Sequence, residues 1–266
     1  MFESLRGLVN RALPSRLTIT QSLTGMIAPP VCCLCLAPGQ RGVGWGLDLC
    51  IYCQAACPPA LDLCPRCAQP LLGQPDAGPG CAHCRCRAAA CDSVHCLFLY
   101  QAPVDSMITQ LKFGHELMYA RVLGTLLAQS VRNARARSGV TLPDCIVPVP
   151  LHRKRLLERG FNQSAELARH AAPRLGIKVE TQLLRRPRET SAQSGLDAAA
   201  RARNLDQAFA VNPGRRVARH VALLDDVLTT GSTAEAAARV LKAAGCQRVD
   251  LWVCARVLKH GPDQAL

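Results

Sequence analysis

Val221–Thr233, VALLDDVLTTGST, decides how the chain is read. Val221, Leu223 and Leu224 belong to a short apolar run, the pattern of a parallel strand buried on both faces. Asp225 and Asp226 follow at its carboxyl end, where ligands bind in open α/β sheets. Two adjacent acids repel each other unless they meet hydroxyl donors or a cation. A ribose supplies vicinal hydroxyls, and Mg²⁺ supplies the charge. Thr229, Thr230, Gly231, Ser232 and Thr233 come next, small hydroxyl residues around a glycine that permits close backbone approach. Ser232 and Glu235 match the S-x-x-E capping box, which predicts a helix start with free N–H groups and a dipole suited to phosphate. Acids for a sugar and amides for a phosphate, a few residues apart, fit a ribose 5-phosphate. A Thr/Gly turn often only caps a helix, and paired aspartates often only meet water; both after one strand are far less common.

Working outward, strands and helices alternate. Ser93 to Tyr100 reads as a strand. Val104 to Phe113 and Leu117 to about Arg135 read as helices broken at Gly114, and Cys145 to Val149 as a short buried strand. Asn162 is a candidate N-cap for a helix to about Ala172, with Pro173 and Gly176 as stop signals. Ser232 to Ala244 reads as a helix ended by Gly245, and Arg248 to Val257 as a last strand. This order predicts an α/β fold with a mostly parallel sheet and helices on both faces. Residues 185 to 205 are charged and weakly periodic and read as a mobile loop or hood.

A basic segment, VPVPLHRKRLLERGFNQ at Val147–Gln163, also follows a strand end. Its Arg155 and Arg159 precede Gly160, and arginine forks suit the diphosphate of 5-phosphoribosyl-1-pyrophosphate (PRPP). Arg153 and Lys154 are equally well explained as a solvated helix face.

Thirteen of the sixteen cysteines lie between Cys32 and Cys96. Four CxxC knuckles can be read there: Cys32/Cys35, Cys50/Cys53, Cys64/Cys67 and Cys81/Cys84. Two residues between thiolates let one tight turn present both sulfurs to a tetrahedral ion at about 2.3 Å. Two pairs of knuckles in series predict two Cys₄ sites, a double zinc ribbon over residues 31–92. Cys33, Cys57, Cys86, Cys91 and His83 leave other ligand sets open. Four thiolates leave no position for substrate, so this Zn²⁺ is structural, and its binding supplies folding energy that the apolar-poor segment lacks.

Residues 1–30 carry Arg6, Arg11 and Arg16 among apolar residues and lack the compact apolar run of a secretory signal. Phe2, Leu5, Leu8, Val9 and Leu13 suggest an amphipathic lead-in helix. With no membrane-spanning run, and cysteines spaced for metal rather than disulfides, the expected location is cytoplasmic. The formal charge is +13; eight thiolates and two Zn²⁺ would lower it by four to +9, still basic enough for phosphorylated ligands or nucleic acid. Only two Trp, three Tyr and five Phe occur, too few for a broad base-stacking surface.

These residues together resemble the ComF family of phosphoribosyltransferase-like proteins. The resemblance covers the chain from about Cys32. It is carried by the cysteine ribbon, LKFGHE at Leu111–Glu116, the RGFNQ string, RPRETSAQSGLDAAARARNLDQAF at Arg186–Phe209, and LLDDVLTTGST. Leu228 departs from the usual isoleucine, and His152-Arg153-Lys154 varies a tolerant stretch. The resemblance implies a type I phosphoribosyltransferase core over residues 93–266 and a link to natural transformation and use of incoming DNA. Asp225 and Asp226 would hold the ribose hydroxyls as the catalytic pair, directly or through water and Mg²⁺. Thr229 to Thr233 would hold the 5′-phosphate, and Arg155 with Arg159 would lie toward the diphosphate. Single-stranded DNA and uptake or recombination proteins would be partners. Phosphoribosyl transfer to an unidentified acceptor is the enzymatic alternative.

Overall fold

The computed structural model describes residues 29–41, 46–71, 80–86, 89–187 and 208–258. The lead-in helix, and the hood of residues 185–205 from residue 188 onward, lie outside them. The chain divides into two compact units, Met1–Ala55 and Ala56–Leu266. The change of composition near residue 93 falls within the second unit.

In the first unit, bridges Val31–Pro38 and Gln40–Leu47 shape a small ribbon ahead of helix α1 (Ile51–Ala55). In the second, a Leu63–Pro70 bridge and the short helix α2 (Ala82–Arg85) precede a five-stranded sheet. Its strands are β1 (Ser93–Leu99), β2 (Cys145–Pro148), β3 (Lys178–Val179), β6 (His220–Leu228) and β7 (Arg248–Arg256). The order is β1-β7-β6-β2-β3 and every pairing is parallel. The α/β reading therefore holds. Strands β4 (Leu184–Arg185) and β5 (Ala210–Val211) pair antiparallel and close the base of the 186–209 segment.

β6 and β7 are buried on both faces, which explains their near-continuous apolar runs. Val221, Leu223, Val249, Leu251 and Val253 share one core with Ala234, Ala237 and Leu241 of helix α7 (Ser232–Ala243). Each fully buried Leu or Val there contributes about 1.5–3 kcal/mol relative to exposure. Helices α3 (Val104–Phe113), α4 (Met118–Ser138), α5 (Arg153–Arg159) and α6 (Gln163–Leu175) complete the unit. α4 packs on α6, and α6 on β2 and β6. Gly124 permits the close approach of the two helices, since a Cβ there would stand 2.6 Å from the Leu167 carbonyl oxygen. No helix among the described residues is long and apolar enough to cross a membrane.

Three local expectations change. α6 does not stop at Pro173; it runs to Leu175, with Gly176 at φ +69° as its left-handed cap. A proline in the last turn loses one donor, while buried Leu167, Ala168, Ala171, Ala172 and Leu175 keep the helix packed. β6 continues through both acids to Leu228, because β7 pairs beside it up to Leu228–Arg256. The Ser232–Glu235 capping box does not form. Gly231 is the N-cap, at φ +85°, and no side chain caps the helix. Glu235 is engaged elsewhere: its carboxylate accepts the Ala90 N–H at 2.8 Å and the Cys91 N–H at 3.5 Å.

Candidate ligand site and cysteine clusters

β2 last pairs with β6 at Pro148–Leu224, and the Val149 N–H still reaches the Leu224 carbonyl at 2.9 Å. One residue later come Asp225 and Asp226, supported by β7 but no longer by β2. The acids therefore line a place where the sheet opens at the carboxyl end of its strands.

Successive strand side chains point to opposite faces, so the two acids have different surroundings. Asp225 lines a cleft of about 270 Å³, solvent-open space included, with Val227, Leu228, Thr229, Gly231, Thr233, Ala234, Leu251 and Val253. Asp226 is buried and ion-paired with Lys112 of α3. Gln163 Nε2 donates to Asp226 Oδ1 at 3.1 Å, and Arg159 donates to Gln163 Oε1 at 2.6 Å. Ser164 Oγ donates to Asp225 Oδ1 at 3.1 Å, as does the Asp226 N–H at 3.0 Å. Burial first, then the Asp226 charge beside it, push the Asp225 carboxyl well above the ordinary carboxylate range; Lys112 opposes the shift.

Positioning of this network is local. Asn162 Oδ1 accepts the Ser164 N–H at 3.0 Å and caps α6, while its Nδ2 donates to the Val149 carbonyl at 3.0 Å. That fixes the start of α6, and with it Gln163 and Ser164, against the end of β2. Arg159 lies over the Phe113 ring at 5.3 Å, and His115 meets Phe161 edge-on at 5.8 Å. The LKFGHE and RGFNQ strings thus meet each other beside the acids.

Across the cleft, Thr229 and Thr230 are exposed and Gly231 holds the left-handed turn that leads into α7. Thr230 Oγ1 and Ser232 Oγ are 2.9 Å apart, and the Ser232 N–H reaches Thr230 Oγ1 at 3.4 Å. Thr229, Gly231 and Thr233 line the cleft with Asp225. Arg155 is exposed on α5, and Arg159 is half-buried and engaged with Gln163. Burial lowers the Arg159 pKa, a shift that Asp226 opposes and Arg155 reinforces. Arg186, at the end of β4, senses both Arg155 and Asp225 and lies over the Phe209 ring at 5.3 Å. Arg153 and Lys154 are exposed.

The eight cysteines fall into two groups, Cys32/Cys35/Cys50/Cys53 and Cys64/Cys67/Cys81/Cys84, each with its sulfurs within 4.8 Å of one another. Each is a soft tetrathiolate donor set that fits a tetrahedral Zn²⁺. In the first group the Cys53 N–H points at Cys50 Sγ at 3.3 Å; in the second the Cys81 N–H points at Cys64 Sγ at 3.2 Å. Burial raises Cys32, but N–H groups of Cys50, Leu34 and Cys35 outweigh it and bring the thiol down to about 6. The same balance, with N–H groups of Cys81, Arg66 and Cys67, brings Cys64 to about 7. Each cluster thus has one thiol prepared to ionise, while the neighbouring sulfurs raise Cys35 and Cys53 in the first and burial raises Cys67 and Cys84 in the second. Cys33, Cys57, Cys86 and Cys91 fall in neither cluster.

Sequence reasoning passed over Lys112, Gln163 and Ser164 as site residues. Lys112 and Gln163 sit inside strings already conspicuous, and a buried acid pair needs donors from somewhere. For Ser164, only its place after the N-cap gave a signal.

A parallel sheet whose central strand carries paired acids, followed by a hydroxyl-rich loop at a helix start, is the arrangement of an α/β protein with a ligand site at the carboxyl end of its strands. The chain is 36% identical over 234 residues to the DNA utilization protein YhgH of Salmonella typhi, covering 88% of this chain and 100% of that one. It is 34% identical over 178 residues to Competence protein F of Haemophilus influenzae, covering 66% and 78%. The chain belongs to the ComF family, with these proteins. No family model matches it. The solved glutamine PRPP amidotransferase from B. subtilis aligns at 20% identity and a TM-score of 0.33, over 50% of this chain and 25% of that one, too distant a likeness to carry weight.

Proposed function

We propose that this protein binds PRPP, and that it does so in the service of using or processing incoming DNA. The observation that carries the ligand reading is the cleft that sets Asp225 opposite Thr229, Gly231 and Thr233. Asp225, its carboxyl raised above the ordinary range, accepts ribose hydroxyls. Thr229 to Thr233 hold the 5′-phosphate through hydroxyls and N–H groups at the start of α7. Asp226 has Lys112 and Gln163 already, so it sets the position and charge of Asp225 rather than gripping the sugar. Mg²⁺ enters with the diphosphate, where Arg155 and Arg159 lie to receive the leaving charge. In this reading residues 31–92 are a double zinc ribbon, residues 93–266 are the ligand domain, and the protein works in the cytoplasm, where thiols persist.

Titration calorimetry with PRPP and Mg²⁺ tests it. Wild type gives saturable heat, and the Asp225→Asn, Asp226→Asn double variant loses it; no heat from wild type, or unchanged affinity in the variant, ends the proposal. For DNA, the net charge of +13 and the names of the relatives favour single strands bound through their backbone. Affinity measured at two salt concentrations then falls steeply with salt, and absence of binding at low salt rejects it.

The enzymatic reading has one feature in its favour, Arg159, which bonds the Gln163 amide that in turn bonds Asp226. A cationic group there would stabilise pyrophosphate as it leaves ribose C1. Pyrophosphate release from PRPP, screened against candidate acceptors, separates enzyme from binder.

A further inference from the structure

Arg256 ends β7 with 3% of its surface exposed. One arm of its guanidinium, Nη1, donates to the Leu228 carbonyl at 3.2 Å and also to the Thr229 carbonyl. It therefore grips the chain where β6 turns into the Thr229–Thr233 loop. Among the described residues no carboxylate pairs with this buried cation, and its Nε–H has no hydrogen-bond partner. Burial lowers its pKa, and the groups that oppose the shift are the thiols of Cys67 and Cys96.

Cys67 belongs to the second cysteine cluster. Four thiolates around one Zn²⁺ would leave a formal charge of about −2, of the sign that favours a buried guanidinium nearby. The cluster is also built into the same core as the loop. Pro65, within the Cys64–Cys67 knuckle, accepts the Val94 N–H at 2.7 Å, and buried Ala68 shares a core with Leu228 and Ala234 on either side of the loop. The far end of the loop is tied down as well, through Glu235 to the N–H groups of Ala90 and Cys91.

We infer that Arg256 is a positioning residue that couples the metal in the Cys64/Cys67/Cys81/Cys84 cluster to the shape of the ligand loop. The zinc there does more than fold a ribbon: it orders the knuckle whose neighbour Ala68 packs in one core with Leu228, the residue whose carbonyl Arg256 holds. The inference rests on the reading of that loop as the phosphate site. The first cluster, in the other compact unit, serves as the comparison.

Amide hydrogen exchange on the full chain tests the coupling without any ligand. Removing the second metal with Cys81→Ser plus Cys84→Ser makes the amides of residues 229–233 exchange about tenfold faster, a typical size for coupling between sites. Cys35→Ser plus Cys53→Ser leaves them unchanged. Arg256→Met reproduces the acceleration with both metals retained, and Arg256→Lys, which keeps the charge but not the fork, gives a smaller one. If the cysteine variant does not fold, brief chelation of wild type replaces it, with protection of β6 and β7 as the check. Acceleration that spreads through β6 and β7 is unfolding and counts against the coupling, as does an unmoved loop in Arg256→Met.

Linkage supplies a second readout. PRPP raises the Zn²⁺ affinity of the second cluster, read at equilibrium against a competing chelator, by the factor through which that metal tightens PRPP, and the effect vanishes in Arg256→Met. If loop exchange responds but PRPP gives no heat, the coupling stands and the ligand reading falls. If PRPP binds and loop exchange is indifferent to the metal, the reverse holds.

Discussion

β6 and β7 carry buried acids at both ends, and the two ends treat them oppositely. At the amino end, Asp250 accepts from Ser93 Oγ at 2.8 Å and Arg248 Nε at 2.9 Å, and its other oxygen lies 2.8 Å from His220 Nε2. Burial alone would raise this carboxyl, but the bonds from Arg248, Ser93 and His220 outweigh it and hold the pKa below the ordinary range. At the carboxyl end, Asp225 is raised, because one hydroxyl and one N–H do not offset burial and the charge of Asp226. A side chain kept for stability has its partners supplied by the fold. One kept for a ligand is left short of them, and the ligand completes the set.

The largest expected effect lies at the satisfied end. Asp250→Ala strands the half-buried Ser93 and His220 groups and the Arg248 charge, and should cost about 3 kcal/mol of unfolding free energy in urea. PRPP affinity of the folded fraction should be unchanged. A loss below about 0.5 kcal/mol, typical of an ordinary surface substitution, would dissolve the comparison. Asp225→Asn should do the reverse. It removes a carboxylate the fold disfavours, so it stabilises the protein by about 1 kcal/mol while abolishing measurable PRPP binding, the trade expected where function requires strain.

The pH dependence separates the two ends in sign. For Asp250 the folded pKa lies below the unfolded one, so its contribution is complete above the unfolded value and is lost as pH falls below about 4. For Asp225 the folded pKa lies above the unfolded one. Stability contributed by the neutral carboxyl is complete below about pH 4 and is lost as pH rises toward the raised value. Urea melts of wild type against Asp225→Asn and Asp250→Asn across pH 3–9 read these as difference curves of opposite slope. PRPP affinity should climb over the upper window, as Asp225 ionises to accept hydroxyls.

How much of this could be read beforehand depends on whether the cause is local. The fold class followed from alternating apolar runs, and the eight knuckle cysteines from spacing alone, since a CxxC turn fixes its own geometry. The strand end at Leu224 was misjudged because pairing with β7, a partner more than twenty residues on, carries β6 through the acids to Leu228. Glu235 looked like a cap by position, yet tertiary structure offered it the amides of Ala90 and Cys91. Arg256 gave no local sign at all, since only the register Leu228–Arg256 brings it to the loop.

Lys112 is where the two ends can be compared most finely, because it is ion-paired with Asp226 of the acidic pair. It lowers Asp225 from the far side of Asp226, an incomplete version of what Arg248 does for Asp250. Lys112→Met should therefore drive the carboxyl end further from the amino end. Asp226 loses its partner, Asp225 ionises at higher pH, and PRPP affinity at pH 7 drops about fivefold, a modest share of the effect an adjacent opposite charge has on a carboxylate. The loss should shrink as pH rises to 9, because ionisation is then forced by the solvent. A loss that stays constant with pH would mean that Lys112 touches the ligand itself, and the division of labour between Asp225 and Asp226 would have to be redrawn.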